Sequence, residues 1–98
     1  MPKNNKTKLI WTVAAIGDII RLREFIEPHN KESANRAADT LKKAAAILLD
    51  YPLIGKPTEN ENERELPISF GKRGYVIRYK IHNNIVAILR IWHSLENN

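Results

Sequence analysis

The apolar residues of this 98-residue chain follow two different periods, and the change between them constrains the fold more than any other feature. Between residues 12 and 50 they recur every three or four positions, which is the period of a helix buried on one side. Between residues 64 and 81 they alternate with polar residues, as in a strand. The sequence therefore predicts helices first and a sheet afterwards, an α+β arrangement.

The first predicted helix lies between Thr12 and Glu27. The Thr12 side chain can accept a hydrogen bond from an unpaired amide at the helix start, and Pro28 disfavours continuation past Glu27. Asp18 is expected among the polar residues that separate the apolar ones. The expected buried face consists of Ala15, Ile16, Ile19, Leu22 and Ile26.

The second predicted helix runs from about Lys31 to Asp50, with Asn30 or Ser33 as its cap. Small side chains dominate its apolar face, so a neighbouring backbone can approach closely. Because few residues join the two helices, we expect an antiparallel hairpin with the larger side chains of the first helix on the alanines of the second. The stripe consists of Ala34, Ala37, Ala38, Leu41, Ala44, Ala45 and Leu48.

Strands are predicted on both sides of the helices. A short strand at residues 7–12 precedes them, and strands at 64–70, 75–81 and 85–92 follow a polar loop and form a meander. Turns are expected at 71–74 and 82–84. The last strand is apolar on both faces, which places it inside the sheet. The predicted order is β-α-α-β-β-β, with the helical hairpin packed on one face of an antiparallel sheet.

Composition limits the function classes. The chain has no cysteine, no secretory signal and no apolar run long enough to cross a membrane, so we expect one soluble cytoplasmic domain over residues 1–98. Sixteen Lys and Arg against eleven Asp and Glu give a net charge of +5. That surplus favours an acidic protein, a nucleic acid or an anionic surface without choosing among them. No spacing of His, Asp and Glu suggests a metal site, and no cofactor is expected.

Four residues near the end of the sheet are candidates for binding a partner. Arg78 and Arg90 lie among apolar neighbours on strands, Trp92 is close to the strand exit, and His93 is expected at the edge of the uncovered sheet face. Arg64 lies among glutamates, and an ion pair with one of them is the simplest role for it.

The ordered motifs resemble the RelE/ParE superfamily of bacterial toxins. "WTVAAIGDIIRLREFI" is similar to the opening helix of that family, including Trp11, Ala15 and Asp18. The second helix is followed by a Leu-x-x-x-Pro-x-x-Gly-x-Pro exit, here Leu48, Pro52, Gly55 and Pro57. "RELPI", "YVIRYKI" and "VAILRIWH" resemble its final strands, with Arg64 opening the first of them and His93 ending the last.

The resemblance implies a toxin that a cognate antitoxin holds inactive in a hetero-oligomer. Such antitoxins are usually acidic in the segment that binds the toxin, which fits the basic charge. RelE-like members cut mRNA on the ribosome, whereas ParE-like members poison DNA gyrase and block replication. The chain has no tyrosine after Tyr79, and only Lys56 lies in the segment before Arg64 where lysines are expected. The resemblance therefore favours the gyrase poison, with no catalytic residues.

Two alternatives stay open. If the protein is an endonuclease, the resemblance implies that Arg64 and Arg78 bind phosphate and that His93 is a general acid. A basic nucleic-acid-binding module without activity is the other alternative. It would need aromatic and basic side chains on one strand face, but Tyr75 and Tyr79 alternate with Arg78.

Overall fold

The predicted helices and strands occur in the predicted order, and one further short strand follows the helices. The computed structural model describes residues 7–26, 30–70 and 73–94. The predicted helix stop at Pro28 and the first half of the predicted turn at 71–74 lie outside the described residues. The elements are β1 (Lys8–Trp11), α1 (Val13–Ile26), α2 (Lys31–Ile47), β2 (Lys56–Pro57), β3 (Glu63–Phe70), β4 (Arg73–His82) and β5 (Ile85–His93).

Side chains cap the start of both helices. Thr12 Oγ1 accepts a hydrogen bond of 3.2 Å from the amide three residues later, as predicted. Asn30 Oδ1 accepts one of 2.9 Å from the Ser33 amide, so Asn30 is the cap of α2. The α2 helix ends at Ile47, before the predicted Asp50, because the amides of residues 48 to 50 bond carbonyls three residues back and tighten the last turn.

The five strands form one sheet in the order β1-β5-β4-β3-β2. The antiparallel meander of β3, β4 and β5 confirms the prediction, and β5 lies inside the sheet between β4 and β1. Asn83 and Asn84, both with positive φ, form the predicted turn between β4 and β5. However, β1 runs parallel to β5, so the sheet is mixed. Strand β2 lies inside the predicted loop and pairs with β3. Its two residues are too few to show an alternation of apolar and polar side chains.

Both helices pack on the same face of the sheet. Tyr75, Ile77 and Tyr79 of β4 are buried beneath the hairpin. The predicted apolar stripe of α2 is buried along its whole length, which confirms the face that contacts the core. The protein core therefore lies between the alanine-rich face of α2, the inner face of α1 and one side of the sheet.

The α1 helix is rotated relative to the prediction. Ile16, expected in the core, is 48% exposed, whereas Asp18, expected on the polar face, is only 4% exposed. This part of α1 lies beside the edge of β5, whose unpaired backbone groups need polar partners. A buried carboxylate satisfies that need where an isoleucine does not.

Candidate functional site

The pleat of β4 distributes the candidate residues between the two faces of the sheet. Tyr75 and Tyr79 point toward the helices, so Arg78 and Lys80, at alternate positions, project from the opposite side. We call the side of the sheet opposite the helices the open face.

A three-residue cluster occupies the open face. Glu65 lies opposite Arg78 in the β3–β4 register, and its Oε2 accepts hydrogen bonds from Arg78 Nε at 3.0 Å and Nη2 at 2.6 Å. The Arg78 guanidinium also lies 4.9 Å from the centroid of the Trp92 ring, within cation–π range. The cluster fixes a cation beside a half-buried indole.

Arg90 has an internal partner on α1. It lies opposite Arg78 in the register, but its Nε donates to Asp18 Oδ2 at 2.8 Å and its Nη2 to Asp18 Oδ1 at 3.1 Å. The amide of Ile91 donates to the same carboxylate at 2.8 Å. Arg90 therefore joins β5 to α1.

Thr12, which caps α1, and Arg21, inside α1, also satisfy the edge of β5 where the pairing with β1 ends. Thr12 Oγ1 donates to the carbonyl of Ile88 at 2.7 Å, and Arg21 Nη2 donates to the carbonyl of Ile91 at 3.2 Å.

Burial alone would raise the pKa of Asp18, but hydrogen bonds from Arg90 and the Ile91 amide, with the charges of Arg90 and Arg21, hold this pKa below its usual value. Asp18 is therefore a buried, ionised part of the fold.

The His93 side chain lies on the helix side of the sheet, and the prediction of the open face was wrong. His93 is opposite Tyr75 in the β4–β5 register, and the two rings meet edge to face with their centroids 5.3 Å apart. Since Tyr75 faces the core, its register partner does so as well. An irregularity in the β4–β5 pairing, next to Tyr79, sets this orientation of the last residues of β5.

Arg64 holds the loop that follows α2. Its Nη1 donates to the carbonyl of Gly55 at 2.7 Å and to that of Leu53 at 3.2 Å. Next to it, the hydroxyl of Tyr79 donates to the carbonyl of Pro52 at 2.7 Å and accepts a bond of 2.9 Å from the Gly55 amide. Arg64 therefore binds backbone carbonyls instead of forming the predicted ion pair with a glutamate.

The Pro-x-x-Gly part of the exit motif is explained by the buried hydroxyl of Tyr79. A Cβ atom added at Gly55 would lie 2.6 Å from this hydroxyl, so the close approach requires glycine. Burial raises the pKa of Tyr79, while the hydrogen bond from the Gly55 amide and the charge of Arg64 oppose this effect only in part. Tyr79 is therefore a neutral structural anchor near neutral pH.

The three residues of the endonuclease alternative do not converge. Arg78 projects from the open face, whereas Arg64 and His93 lie opposite Tyr79 and Tyr75 on the helix side. Those two tyrosines are four positions apart in β4, which is about 13 Å along an extended strand. The site residues predicted for catalysis thus occupy two faces and two ends of the sheet.

Exposed apolar side chains are the feature that the sequence analysis missed. Val13 and Ile20 of α1 are 88% and 53% exposed, and both were left out of the predicted helix face. A second apolar surface contains Tyr51, Leu53 and Ile54, in the loop after α2. The signal was the number of isoleucine and valine residues in α1, which exceeds what one buried face can hold.

Within residues 7–26, 30–70 and 73–94, no group of three or more His, Cys, Asp or Glu side chains is placed to hold a metal ion. None of the helices that the structure describes is long and apolar enough to cross a membrane.

The helical hairpin packs on a mixed sheet in which the last strand, β5, lies between β1 and β4. The sequence model for the ParE toxin of the type II toxin–antitoxin system parDE matches residues 9–98. The chain therefore belongs to the ParE toxin family of type II toxin–antitoxin systems.

The chain is also similar to curated toxins and, in its fold, to a solved structure. The chain is 37% identical to Toxin RelE3 of Caulobacter vibrioides over 81% of its own length and 85% of the relative. It is 34% identical to Toxin RelE1 of the same organism, over 90% of its own length and 94% of the relative. The fold is also similar to a chain of the chromosomal ParDE toxin–antitoxin system from P. aeruginosa, with a TM-score of 0.76 and 19% identity over 92% and 98% of the two chains.

Proposed function

We propose that this toxin inhibits DNA gyrase by binding it, and thereby blocks replication, until a cognate antitoxin with an acidic toxin-binding segment neutralises it. Membership of the ParE toxin family supports the toxin and antitoxin roles. The net charge of +5 supports an acidic partner.

The separation of Arg64, Arg78 and His93 is the observation that carries the choice of binding over catalysis. Cleavage of RNA by its own 2′-hydroxyl needs a base, an acid and a phosphate-binding cation within hydrogen-bond reach of one phosphodiester. Arg64 is engaged with the carbonyls of Leu53 and Gly55, and Arg78 lies on the other face of the sheet. These contacts are structural and support a toxin that acts as a binding protein.

Of the four predicted partner-binding residues, Arg78 and Trp92 remain our candidates for the contact with gyrase. Trp and Arg are the residues most enriched in the centres of protein interfaces, and this guanidinium is already oriented by Glu65. Arg90 and His93 have internal partners, Asp18 and Tyr75, and contribute to the fold instead.

The names of the relatives, RelE toxins, favour one alternative, an mRNA endonuclease that acts on the ribosome. Induction of the toxin in cells, followed by gyrase supercoiling assays and mapping of mRNA 5′ ends, distinguishes the two. We expect filamentous cells, a DNA-damage response, inhibited supercoiling and uncut mRNA. Discrete cuts within codons, with supercoiling unaffected, would establish the endonuclease.

Two substitutions test whether the toxin acts by binding or by catalysis. Trp92→Ala is expected to weaken gyrase inhibition, whereas His93→Ala should change it only as far as stability falls. Removal of a group that transfers a proton typically lowers a catalytic rate by about 100- to 10,000-fold. A loss of that size in His93→Ala, with the fold intact by circular dichroism, would contradict the binding mechanism.

A further inference from the structure

Three large apolar side chains project into solvent from the loop between α2 and β2. Tyr51, Leu53 and Ile54 are 62%, 66% and 54% exposed, and none of them belongs to the buried core. We call these three side chains the apolar knob. An exposed apolar cluster is typical of a surface that a partner covers.

Buried parts of the sheet fix the backbone of the apolar knob. The Tyr79 hydroxyl donates to the Pro52 carbonyl at 2.7 Å and accepts a bond of 2.9 Å from the Gly55 amide. Arg64 Nη1 donates to the carbonyls of Leu53 and Gly55 at 3.2 and 2.7 Å. These bonds orient side chains that add nothing to the core. A surface that is fixed before binding loses less conformational entropy when a partner covers it.

A groove of about 340 Å³ adjoins the apolar knob and shares Leu53 with it. Arg64 also lines this groove, but its guanidinium is directed to the backbone carbonyls of the loop. Within the described part of the chain, Glu59 and Glu61 are exposed and have no ion-pair partner. We call it the acidic groove, since three apolar and three acidic side chains contribute to its lining: Leu53, Pro57, Ile81, Glu59, Glu61 and Glu63.

Charge is distributed unevenly along the chain. Residues 50–65 contain five acidic and two basic side chains and so carry a net charge of −3, although the whole chain carries +5. The apolar knob and the acidic groove therefore belong to an acidic segment of a basic protein. Such a surface repels the acidic segment of an antitoxin and attracts Lys and Arg.

We propose that the apolar knob and the acidic groove are a docking surface for gyrase, and that they bind a segment of that enzyme in which Lys or Arg flank an apolar side chain. The apolar side chain packs on Leu53, and the cations pair with Glu59 and Glu61. This inference rests on the proposed function, because it assumes that gyrase is the target. An enzyme that binds DNA exposes Lys and Arg for the phosphates, so it offers segments of this chemistry.

The acidic groove is continuous with the cluster on the open face. Glu63 lies opposite Lys80 in the β3–β4 register, and Glu65, two residues later, binds Arg78. Because alternate residues of a strand share a face, Glu63 projects from the same side of the sheet as the cluster that contains Trp92. One partner can therefore cover both surfaces.

A second copy of the chain fits this surface less well. The acidic groove would have to meet a basic surface elsewhere on the copy, and contacts between two different surfaces form rings or open chains rather than twofold dimers. Each added copy also brings a net charge of +5, which opposes assembly.

The first test measures the affinity of toxin variants for purified gyrase holoenzyme and the toxin concentration that halves supercoiling. Leu53→Ser removes the central side chain of the apolar knob and should weaken both binding and inhibition at least about tenfold. Phe25→Ser is the matched control, because Phe25 on α1 is also 66% exposed. It should leave both quantities within about twofold of the wild type.

A charge reversal tests the acidic groove. Glu59→Lys combined with Glu61→Lys should weaken gyrase binding at least about tenfold at about 50 mM salt and less at about 200 mM, because salt screens exposed charges. Glu24→Lys combined with Asp39→Lys makes the same change in net charge at exposed positions on the helices and is the control. The loss in Leu53→Ser should not decrease with salt in this way, since apolar burial is not screened.

Folding is measured separately from binding. Every substituted side chain is exposed, so the Tm of each variant should stay within about 4 °C of the wild type. A loss of gyrase binding at unchanged Tm then reports the docking surface.

Each possible failure has its own signature. If the wild-type toxin inhibits gyrase and both Leu53→Ser and the Glu59 and Glu61 reversal inhibit it equally well, the docking surface is refuted and the proposed function is untouched. If the wild-type toxin neither binds nor inhibits gyrase, the proposed function fails and this inference fails with it. A loss in Phe25→Ser as large as that in Leu53→Ser overturns the inference. If the toxin alone self-associates and only that association is lost in Leu53→Ser, the occupant is a second copy, and the inference is likewise overturned.

Discussion

Asp18 and Arg90, separated by 72 residues in the chain, form an ion pair with two hydrogen bonds of 2.8 and 3.1 Å at the edge of the sheet. The Asp18 side chain is 5% exposed and that of Arg90 is 53% exposed. Because the same carboxylate also accepts the amide of Ile91, it replaces the neighbouring strand that this edge lacks. The contact joins the first helix to the last strand and determines how α1 is oriented on the sheet.

Asp18→Ala should destabilise the protein by about 1–3 kcal/mol, since it leaves the Ile91 amide buried without an acceptor. Arg90→Ala should cost less, because Asp18 keeps the amide of Ile91 and the charge of Arg21. Urea unfolding at constant m-value measures both changes. Equal losses in the two variants would show that the ion pair, rather than the strand edge, carries the stability.

The ionised state of Asp18 predicts a loss of stability in acid. Its pKa in the folded protein lies below the ordinary 3.8, so its contribution is complete above that value and is lost as pH falls through the folded pKa. The difference in unfolding free energy between wild type and Asp18→Asn should therefore be constant from about pH 5 to 7 and shrink below about pH 4. A difference that does not change with pH would refute an ionised Asp18.

The raised pKa of Tyr79 predicts a loss of stability at alkaline pH. Burial raises its pKa in the folded protein above 10.0, so the unfolded chain loses this proton first and stability falls as pH rises past 10.0. Tyr79→Phe should flatten this decline, and at neutral pH should cost about 1–3 kcal/mol because the Gly55 amide and the Pro52 carbonyl lose their partner. Denaturant titrations at several pH values test both effects. If stability falls with rising pH as steeply in Tyr79→Phe as in the wild type, other tyrosines cause the decline.

Substitution by alanine should have opposite effects on stability at Gly17 and at Gly55. A Cβ atom at Gly17 would meet free space, whereas one at Gly55 would meet Tyr79. Gly55→Ala places a Cβ 2.6 Å from the Tyr79 hydroxyl and 3.0 Å from the carbonyl oxygen of Glu65, and should cost about 1–3 kcal/mol. Gly17→Ala meets free space in a helix and should stabilise by about 0.5–1 kcal/mol. Thermal unfolding of the two variants under the same conditions measures the contrast. A shift of the same sign in both would contradict these positions.

The small residues of α2 predict sensitivity to overpacking. Ala38→Leu and Ala45→Leu each insert three carbons at positions only 4% and 0% exposed, and should cost about 1–3 kcal/mol. Ala46→Leu, on the exposed side of the same helix, is the matched control and should change stability by less than about 0.5 kcal/mol. Equal midpoints of urea unfolding for all three would place the contact face elsewhere.

Local periodicity was sufficient for much of the fold. The cap at Thr12, the buried stripe of α2, the meander and the interior position of β5 were all predicted, because each depends on residues within a few turns or on one strand. The cap of α2 was narrowed to Asn30 or Ser33, and the structure shows that it is Asn30. The resemblance in motif order also led to the family that the comparisons show.

The candidate site was predicted less well. Arg78 and Trp92 lie on the open face near each other, but His93 lies on the helix side and Arg90 binds Asp18. Alternation along β5 does not reveal the irregular pairing beside Tyr79 that sets which face its last residues occupy. The face of a side chain beyond such a point depends on the neighbouring strand.

The sequence by itself determined the type and order of the elements other than the short β2, since helix and strand periods follow from backbone geometry within each segment. Only the tertiary structure decided that Asp18 is buried, that β1 pairs parallel to β5 and that Val13, Ile16 and Ile20 remain outside the core. These outcomes depend on which distant strand edge needs hydrogen-bond partners and on which helix face it meets. No local pattern encodes such contacts, because the groups that satisfy each other lie 70 or more positions apart in the chain.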